Sequence, residues 1–233
     1  MTMKLQIVAP LALAALALAV GAGLAKPIAH RPAAPHTAPA APVKTSAPAG
    51  AYALDPTHAD LSFKLNHLGF SNYTARFTKF DAKLAFDPAN PARMSVDAKV
   101  DPTSLTLPAP PVGFTEALLG PHWLDAGQFP EISFRSTAVE LTGADTARIR
   151  GDLTLHGQTK PIMLEARFNG GYAGNSFEPR GRIGFSAHGV FKRSDFGISY
   201  GLPPPNSTMG VGDEVSVILE AEFTGPPWTP PKP

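Results

Sequence analysis

The chain has 233 residues and no cysteine, so it cannot contain a disulfide framework and its hydrophobic core must hold the fold without covalent cross-links. Residues 51–225 contain all 19 acidic residues and 15 of the 20 basic residues, which gives this part of the chain a net charge of −4. We expect no nucleic-acid partner, because nucleic-acid binding requires a basic face.

The first 25 residues have the pattern of a secretory signal peptide. Lys4 supplies a positive start, residues 5–20 are rich in Ala and Leu, and Gly23-Leu24-Ala25 places small residues before a cleavage site after Ala25. We therefore expect export to the periplasm. An uncleaved membrane anchor is the alternative, although the apolar stretch is shorter than the roughly 20 residues that a membrane-spanning helix needs.

Residues 26–50 are predicted to form a disordered linker. Fourteen of these 25 residues are Pro or Ala, and such a segment buries too little apolar surface to offset the entropy of ordering it. The linker either spaces the domain from the membrane or from a neighbouring protein, or it is a tail without a role. Residues 226–233 are predicted to be a similar Pro-rich tail.

Alternating apolar and polar side chains predict about eight strands in the domain at residues 51–225. The first stripe places Ala59, Leu61, Phe63, Leu65 and His67 on one face of a strand. Comparable stripes run through residues 94–100, 149–155, 162–168, 183–191 and 215–223. In residues 73–86 and 131–141 the stripe changes parity, which predicts a β-bulge in each of these strands.

One helix is predicted between the third and fourth strands. Residues 114–119 read Phe-Thr-Glu-Ala-Leu-Leu and are followed by Gly120-Pro121, a typical helix stop. Its apolar face either closes one end of the domain or packs on the outer surface.

The fold class is therefore all-β, an antiparallel barrel of about eight strands, because closure hides the edges of a sheet with one apolar face. The inward stripes contain no Asp, Glu, Lys or Arg. A barrel of this size can enclose one small ligand; a fully packed core of the same residues is the alternative. The predicted ligand-contacting residues are Leu61, Phe63, Leu65, His67, Phe77, Phe134, Leu153, Leu164, Phe168, Phe185, Phe191 and Leu219.

The order and spacing of several short motifs resemble the YceI-like family of bacterial periplasmic lipid-binding proteins. The resemblance runs from Tyr52 to Gly225. It rests on motifs at residues 52–58 (YALDPTH), 63–69 (FKLNHLG), 129–134 (FPEISF), 151–161 (GDLTLHGQTKP), 193–197 (RSDFG) and 212–215 (GDEV). It implies a lipocalin-like barrel with a long pocket that binds a polyisoprenoid or an isoprenoid quinone, and no cofactor besides this lipid. Separately from the resemblance, the Pro/Ala linker suggests a neighbour at the inner membrane. The sequence leaves open whether the chain is a monomer or a homodimer.

Catalytic and metal sites are not predicted. The five histidines of the domain lack metal-binding spacing, and the sequence has neither Cys nor a Gly-x-Ser-x-Gly elbow for a nucleophile. A lipid hydrolase and a non-lipid interaction module tethered near the inner membrane are the alternative functions. His67 is either a satisfied buried histidine or a contact to a ligand headgroup. Arg193 and Asp195 either pair or bond turn amides, or they form a gate at the pocket mouth.

Overall fold

The computed structural model describes residues 45–230. Three 3₁₀-helical turns lie at Pro91–Arg93, Pro102–Ser104 and Arg193–Phe196. The α-helix and the strands are β1 (Gly50–His67), β2 (Ser71–Phe77), β3 (Phe80–Phe86), β4 (Ser95–Val100), β5 (Leu105–Thr106), α1 (Phe114–Leu119), β6 (Ile132–Leu141), β7 (Thr146–Leu155), β8 (Gln158–Tyr172), β9 (Arg180–Lys192) and β10 (Val211–Pro227).

The strands form a closed antiparallel barrel of eight strands, as predicted. The ring runs β1-β3-β4-β6-β7-β8-β9-β10, and the pairing of β10 with β1 closes it. The two remaining strands extend one side, because β2 pairs with the second half of β1 and the short β5 pairs with β2. In this register Leu61 of β1 lies between Phe77 of β2 and Leu219 of β10. Inward residues of neighbouring strands therefore meet on one lining.

The predicted bulged strand at residues 73–86 is wrong, because the structure has two strands there, β2 and β3. The backbone amides of Thr78 and Lys79 leave the ladder and donate to Ser104, at 3.2 Å to its carbonyl oxygen and 3.0 Å to its Oγ. This break lets β2 pair with β5 while β3 pairs with β4. The second predicted bulge is confirmed, because the β6–β7 register shifts between Ser136 and Ala138.

The helix is confirmed at Phe114–Leu119, and in the eight-stranded ring it lies between the third and fourth strands, β4 and β6. Leu118 and Leu119 pack against the cluster formed by Ala75, Leu105 and Leu107. Among residues 45–230, no helix is both long and apolar enough to cross a membrane.

The first strand begins at Gly50, next to the predicted domain boundary, but the last residues of the predicted linker already pack against the barrel. Ala47 is 3% exposed within the core cluster around Tyr52, and the Thr45 hydroxyl donates to the Gly171 carbonyl at 3.0 Å. At the other terminus, β10 includes Pro226 and Pro227, which the sequence assigns to the tail. The predicted signal peptide and residues 26–44 of the linker lie outside the described residues, as does the end of the tail.

Candidate functional site

The barrel encloses a cavity of about 760 Å³ that runs along its length. This volume falls within the range of about 300–1,000 Å³ that is usual for small-molecule sites. The alternative of a fully packed core is therefore wrong. All twelve residues predicted to contact a ligand line the cavity: Leu61, Phe63, Leu65, His67, Phe77, Phe134, Leu153, Leu164, Phe168, Phe185, Phe191 and Leu219.

Aromatic rings narrow one half of the cavity. The Phe185 ring lies 5.3 Å from that of Phe168, 6.4 Å from that of Phe86 and 6.2 Å from that of Phe223, measured between ring centroids. Edge-on and tilted rings at these separations attract one another beyond the area they bury. This half of the lining is therefore an aromatic wall of mutually packed rings.

The lining of the cavity includes residues from both ends of the barrel. We call the end at which β1 turns into β2 the helix-side mouth; it is lined by His67, Pro108, Phe114, Leu118 and Ile198. The opposite mouth is lined by Thr45, Pro88, Ser95, Ala144 and Asp145. A linear molecule can thus lie along the barrel axis with its ends at the two mouths.

Side chains at the helix-side mouth decide between the alternatives that the sequence left open for His67 and for the helix. His67 is exposed and lines the cavity at this mouth, so a satisfied buried histidine is the wrong interpretation. Phe114 and Leu118 of α1 also line the cavity, so the helix covers this end of the barrel and does not pack against its outer wall.

Sequence patterns did not predict a further group of lining residues. These residues belong to the irregular segment that connects β5 to β6, where apolar side chains follow neither a strand period nor a helix period. The group comprises Leu107, Pro108, Ala109, Pro111, Trp123 and Leu124. No signal in the sequence placed this segment over the mouth.

The charged residues that line the cavity lie near its two ends. Of the described residues that line it, Asp145 and Arg193 are the two that carry formal charge. Asp145 is paired with Arg167 at 2.8 Å. The wall between the mouths is thus apolar or uncharged and suits a ligand without charge along its length, because an unpaired charge there would lose its hydration without compensation.

A YceI-like domain model matches residues 52–223. The chain belongs to the YceI-like family. It is similar to a UPF0312 protein of Vibrio cholerae, with 37% identity over 165 residues that cover 71% of this chain and 81% of the relative. A UPF0312 protein of Shewanella oneidensis is 34% identical over 182 residues, which cover 77% of this chain and 90% of that protein. The resemblance predicted from the motifs is confirmed.

Solved structures share the barrel. BcnA of Burkholderia cenocepacia superposes with a TM-score of 0.62 and 24% identity, covering 72% of this chain and 98% of BcnA. The Campylobacter jejuni YCEI protein gives a TM-score of 0.58 with 26% identity, covering 69% of this chain and 90% of that one. A polyisoprenoid-binding domain from Saccharophagus degradans gives 0.55 with 14% identity, covering 76% of this chain and 99% of the domain.

Arg193 anchors the helix-side mouth of the YceI-like barrel. It is 3% exposed, and burial lowers the pKa of its guanidinium, an effect that the nearby Asp213 carboxylate opposes. The predicted pairing with Asp195 is wrong, because the guanidinium donates to main-chain carbonyls instead. These acceptors are Ile198, Tyr200 and Gly212 at 2.9 Å and Val211 at 2.8 Å. Arg193 therefore fixes the loop that joins β9 to β10.

Asp55, His58 and Glu222 lie close enough together for their ligand atoms to surround one ion. However, the guanidinium of Arg182 lies between the two acids and donates to each carboxylate at 2.8 Å. Hydrogen bonds from Thr57 and His58 hold the pKa of Asp55 well below its usual range. We assign this cluster to the stability of the β1–β10 wall, because the bound guanidinium already supplies the positive charge.

Proposed function

We propose that this protein binds a long-chain apolar lipid, a polyisoprenoid or an isoprenoid quinone, inside the barrel and stores or carries it in the periplasm. The observation that carries the proposal is the continuous cavity of about 760 Å³ with formal charge only near its two ends. The polyisoprenoid-binding domain from Saccharophagus degradans, which shares the fold, supports this choice of ligand class.

Burial of a hydrocarbon chain supplies enough free energy for such a carrier. Each CH₂ group transferred from water into an apolar site is worth about 0.8 kcal/mol. Several isoprene units therefore outweigh the roughly 4–15 kcal/mol that association costs. An ionic anchor is not needed, and the length and width of the cavity determine which chains fit.

The export signal predicted in the first 25 residues supports the periplasmic location. A barrel without a lipid could serve as an interaction module near the inner membrane, and a barrel that turns over a lipid ester would be a hydrolase. Analysis of the bound lipid distinguishes both of these alternative functions from a carrier.

The direct test is mass spectrometry of an organic extract of the protein, purified from the periplasm without detergent. We expect about one isoprenoid lipid per chain, because the cavity has room for one long ligand. An extract without lipid, from a protein that also fails to take up added isoprenoid quinone, would refute the carrier and favour the interaction module. Steady release of free acid from an added prenyl ester would favour the hydrolase.

A matched pair of variants ties the bound lipid to the cavity. Val217→Trp places a large apolar ring inside the barrel, where Val217 lines the cavity. Thr74→Trp places the same ring on the outer face of β2, where Thr74 is exposed. We expect the first variant to lose the lipid and the second to retain it. Equal lipid content in the two variants would mean that the lipid binds elsewhere.

A further inference from the structure

Three segments around the helix-side mouth contain no Asp, Glu, Lys or Arg. They are residues 65–75, 102–115 and 196–212, together 42 residues. At the 17% charged content of the whole chain, 42 residues would hold about seven charges. We call these three segments the uncharged rim. Their lack of charge is unusual for exposed loops, which are ordinarily polar.

The three segments form one surface. The Leu68 amide donates to the Gly210 carbonyl at 2.9 Å, which joins the first segment to the third. Phe77 and Leu105 pair where β2 meets β5, so the chain that follows β5 runs back toward the β1–β2 turn. His67, Pro108 and Ile198, one from each segment, all line the cavity. The rim therefore surrounds the helix-side mouth.

Large apolar side chains project from the rim into solvent. Nine large hydrophobic residues of the described chain are exposed, and five of them belong to the rim. The five are Phe70 (80% exposed), Val112 (107%), Phe114 (39%), Tyr200 (56%) and Met209 (59%). Apolar side chains concentrated in this way on one surface mark a site that meets another apolar body.

Backbone conformation supports this view of the rim. Five described residues other than glycine have a positive φ, a conformation that costs a residue with a Cβ atom some free energy. Leu68 (56°), Ala109 (43°) and Asn206 (61°) belong to the rim, whereas Asp125 and His156 lie outside it. Backbone strain of this kind persists only where the surrounding structure holds it in place, and it is most common at functional sites. Here it shapes the tips of two loops next to Phe70 and Val112.

The opposite mouth differs in charge. The turns around it carry Asp87, Arg93, Asp145, Glu178 and Arg180. A surface with these charges resists insertion among hydrocarbon chains, because each charge would lose its hydration. At the helix-side mouth, Glu116 of α1 and the buried Arg193 lie next to the uncharged rim. The rim itself carries no such charge, so it is the surface that suits an apolar environment.

We propose that the uncharged rim docks on the surface of a lipid bilayer, so that a lipid passes between the membrane and the cavity through the helix-side mouth. This rests on the proposed function, because it requires that the cavity holds a membrane lipid. Phe114 and Pro111 belong to the rim and also line the cavity. The apolar surface is therefore continuous from the loop tips into the barrel, and the chain of the lipid need not cross water.

The absence of charge determines which bilayer the rim binds. Interfacial binding of proteins combines burial of apolar side chains with attraction of basic residues to anionic lipids. The rim contains neither Lys nor Arg, so we expect binding to come from the apolar tips. It should therefore occur on neutral lipids and should not weaken as salt is added.

The experiment is flotation of the purified protein with vesicles of pure phosphatidylcholine at low and high salt. We expect equal binding at both salt concentrations. The triple variant Phe70→Asp, Val112→Asp, Met209→Asp should bind at least about tenfold more weakly, because it removes three apolar tips and adds charge. The control is Phe177→Asp, since Phe177 is 98% exposed in the loop between β8 and β9, at the opposite mouth. It should bind as the wild type does.

Titration of geranylgeraniol in solution, followed by Trp fluorescence without vesicles, separates this proposal from the proposed function. The triple variant should bind geranylgeraniol as the wild type does, which also shows that it is folded. Wild-type protein that binds geranylgeraniol but does not float with neutral vesicles would overturn the docking proposal alone. So would binding that requires anionic lipid or disappears at high salt, or a Phe177→Asp variant that loses as much binding as the triple variant. Failure to bind geranylgeraniol would count against the proposed function itself.

Discussion

The guanidinium carbon of Arg193 lies 5.0 Å from the centre of the Trp123 ring. Arg193 follows β9 directly and holds the loop that leads to β10, whereas Trp123 belongs to the segment between α1 and β6. A cation over an aromatic ring at this distance is attracted to it, more strongly when both are removed from water. One buried side chain thus joins two of the irregular segments at the helix-side mouth.

Replacement of Arg193 by Lys should destabilise the protein by about 3 kcal/mol, because an ammonium group cannot reach four carbonyls spread around a planar guanidinium. The measurement is urea-induced unfolding followed by circular dichroism. Arg150→Lys is the control, since Arg150 is exposed on β7, and it should change the stability by less than about 0.5 kcal/mol. Similar losses in the two variants would mean that the buried hydrogen bonds of Arg193 add little.

The Phe185 ring borders the cavity, so its truncation should cost less than that of a fully packed phenylalanine. Phe196, which is 1% exposed in a packed cluster, provides the comparison. We expect Phe196→Ala to lose about 3–5 kcal/mol of unfolding free energy and Phe185→Ala about 2 kcal/mol. Both values come from urea unfolding of the lipid-free protein. Equal losses would indicate that the wall around Phe185 is packed as tightly as the core.

Sequence periodicity was sufficient for the inward-facing residues of the strands. Strand alternation fixes which face each residue takes, so a stripe such as Leu61, Phe63 and Leu65 predicts the inner face of a strand without knowledge of strand pairing, although it does not distinguish a cavity wall from a packed core. Periodicity could not predict the break at Thr78, because that break depends on hydrogen bonds to Ser104, distant in sequence. Nor could the sequence pattern predict that Ala47 packs in the core. The Pro/Ala composition of residues 26–50 describes that segment alone and not its contacts with the barrel.

The loops of the helix-side mouth were the least predictable part. Ala109 has a positive φ, and the position of Trp123 depends on Arg193 and on Tyr200, whose ring centroid lies 5.7 Å from that of Trp123. These contacts are tertiary and leave no periodic signal in the sequence. The sequence shows that these loops lack charged residues. It does not show that the loops come together around one opening, and that arrangement is what makes the lack of charge informative.

Asp55 should make the stability of the barrel sensitive to acid. Its pKa in the folded protein is held well below the value of about 3.9 expected in the unfolded chain. A depressed pKa stabilises the fold at pH values above the unfolded value, and this contribution is lost as the pH falls toward the folded value. The difference in unfolding free energy between the wild type and Asp55→Asn should therefore be largest at neutral pH and should narrow below about pH 4.

Urea unfolding at several pH values between 7 and 3 measures this difference. Asp152→Asn is the control, because Asp152 is exposed on β7 and has no ion pair in the described part of the chain. Its effect should stay within about 0.5 kcal/mol at every pH. A gap between the wild type and Asp55→Asn that is constant with pH would show that the carboxylate charge of Asp55 does not stabilise the fold.

His67 should contact the headgroup of the bound lipid, since its exposed side chain lines the cavity at the helix-side mouth. One hydrogen bond from an imidazole to a quinone oxygen is worth about 0.5–1.5 kcal/mol net. His67→Ala should therefore weaken the binding of an isoprenoid quinone by up to about tenfold. It should leave the binding of a headgroup-free isoprenoid hydrocarbon nearly unchanged.

Quenching of Trp123 fluorescence measures both affinities, because Trp123 lines the cavity. The chain has two Trp residues, so a Trp228→Phe background makes Trp123 the only reporter. His188→Ala serves as the control: His188 is 66% exposed, faces away from the cavity and lies near Glu165. It should alter neither affinity. If His67→Ala weakens both ligands equally, His67 shapes the mouth and makes no specific contact with the headgroup.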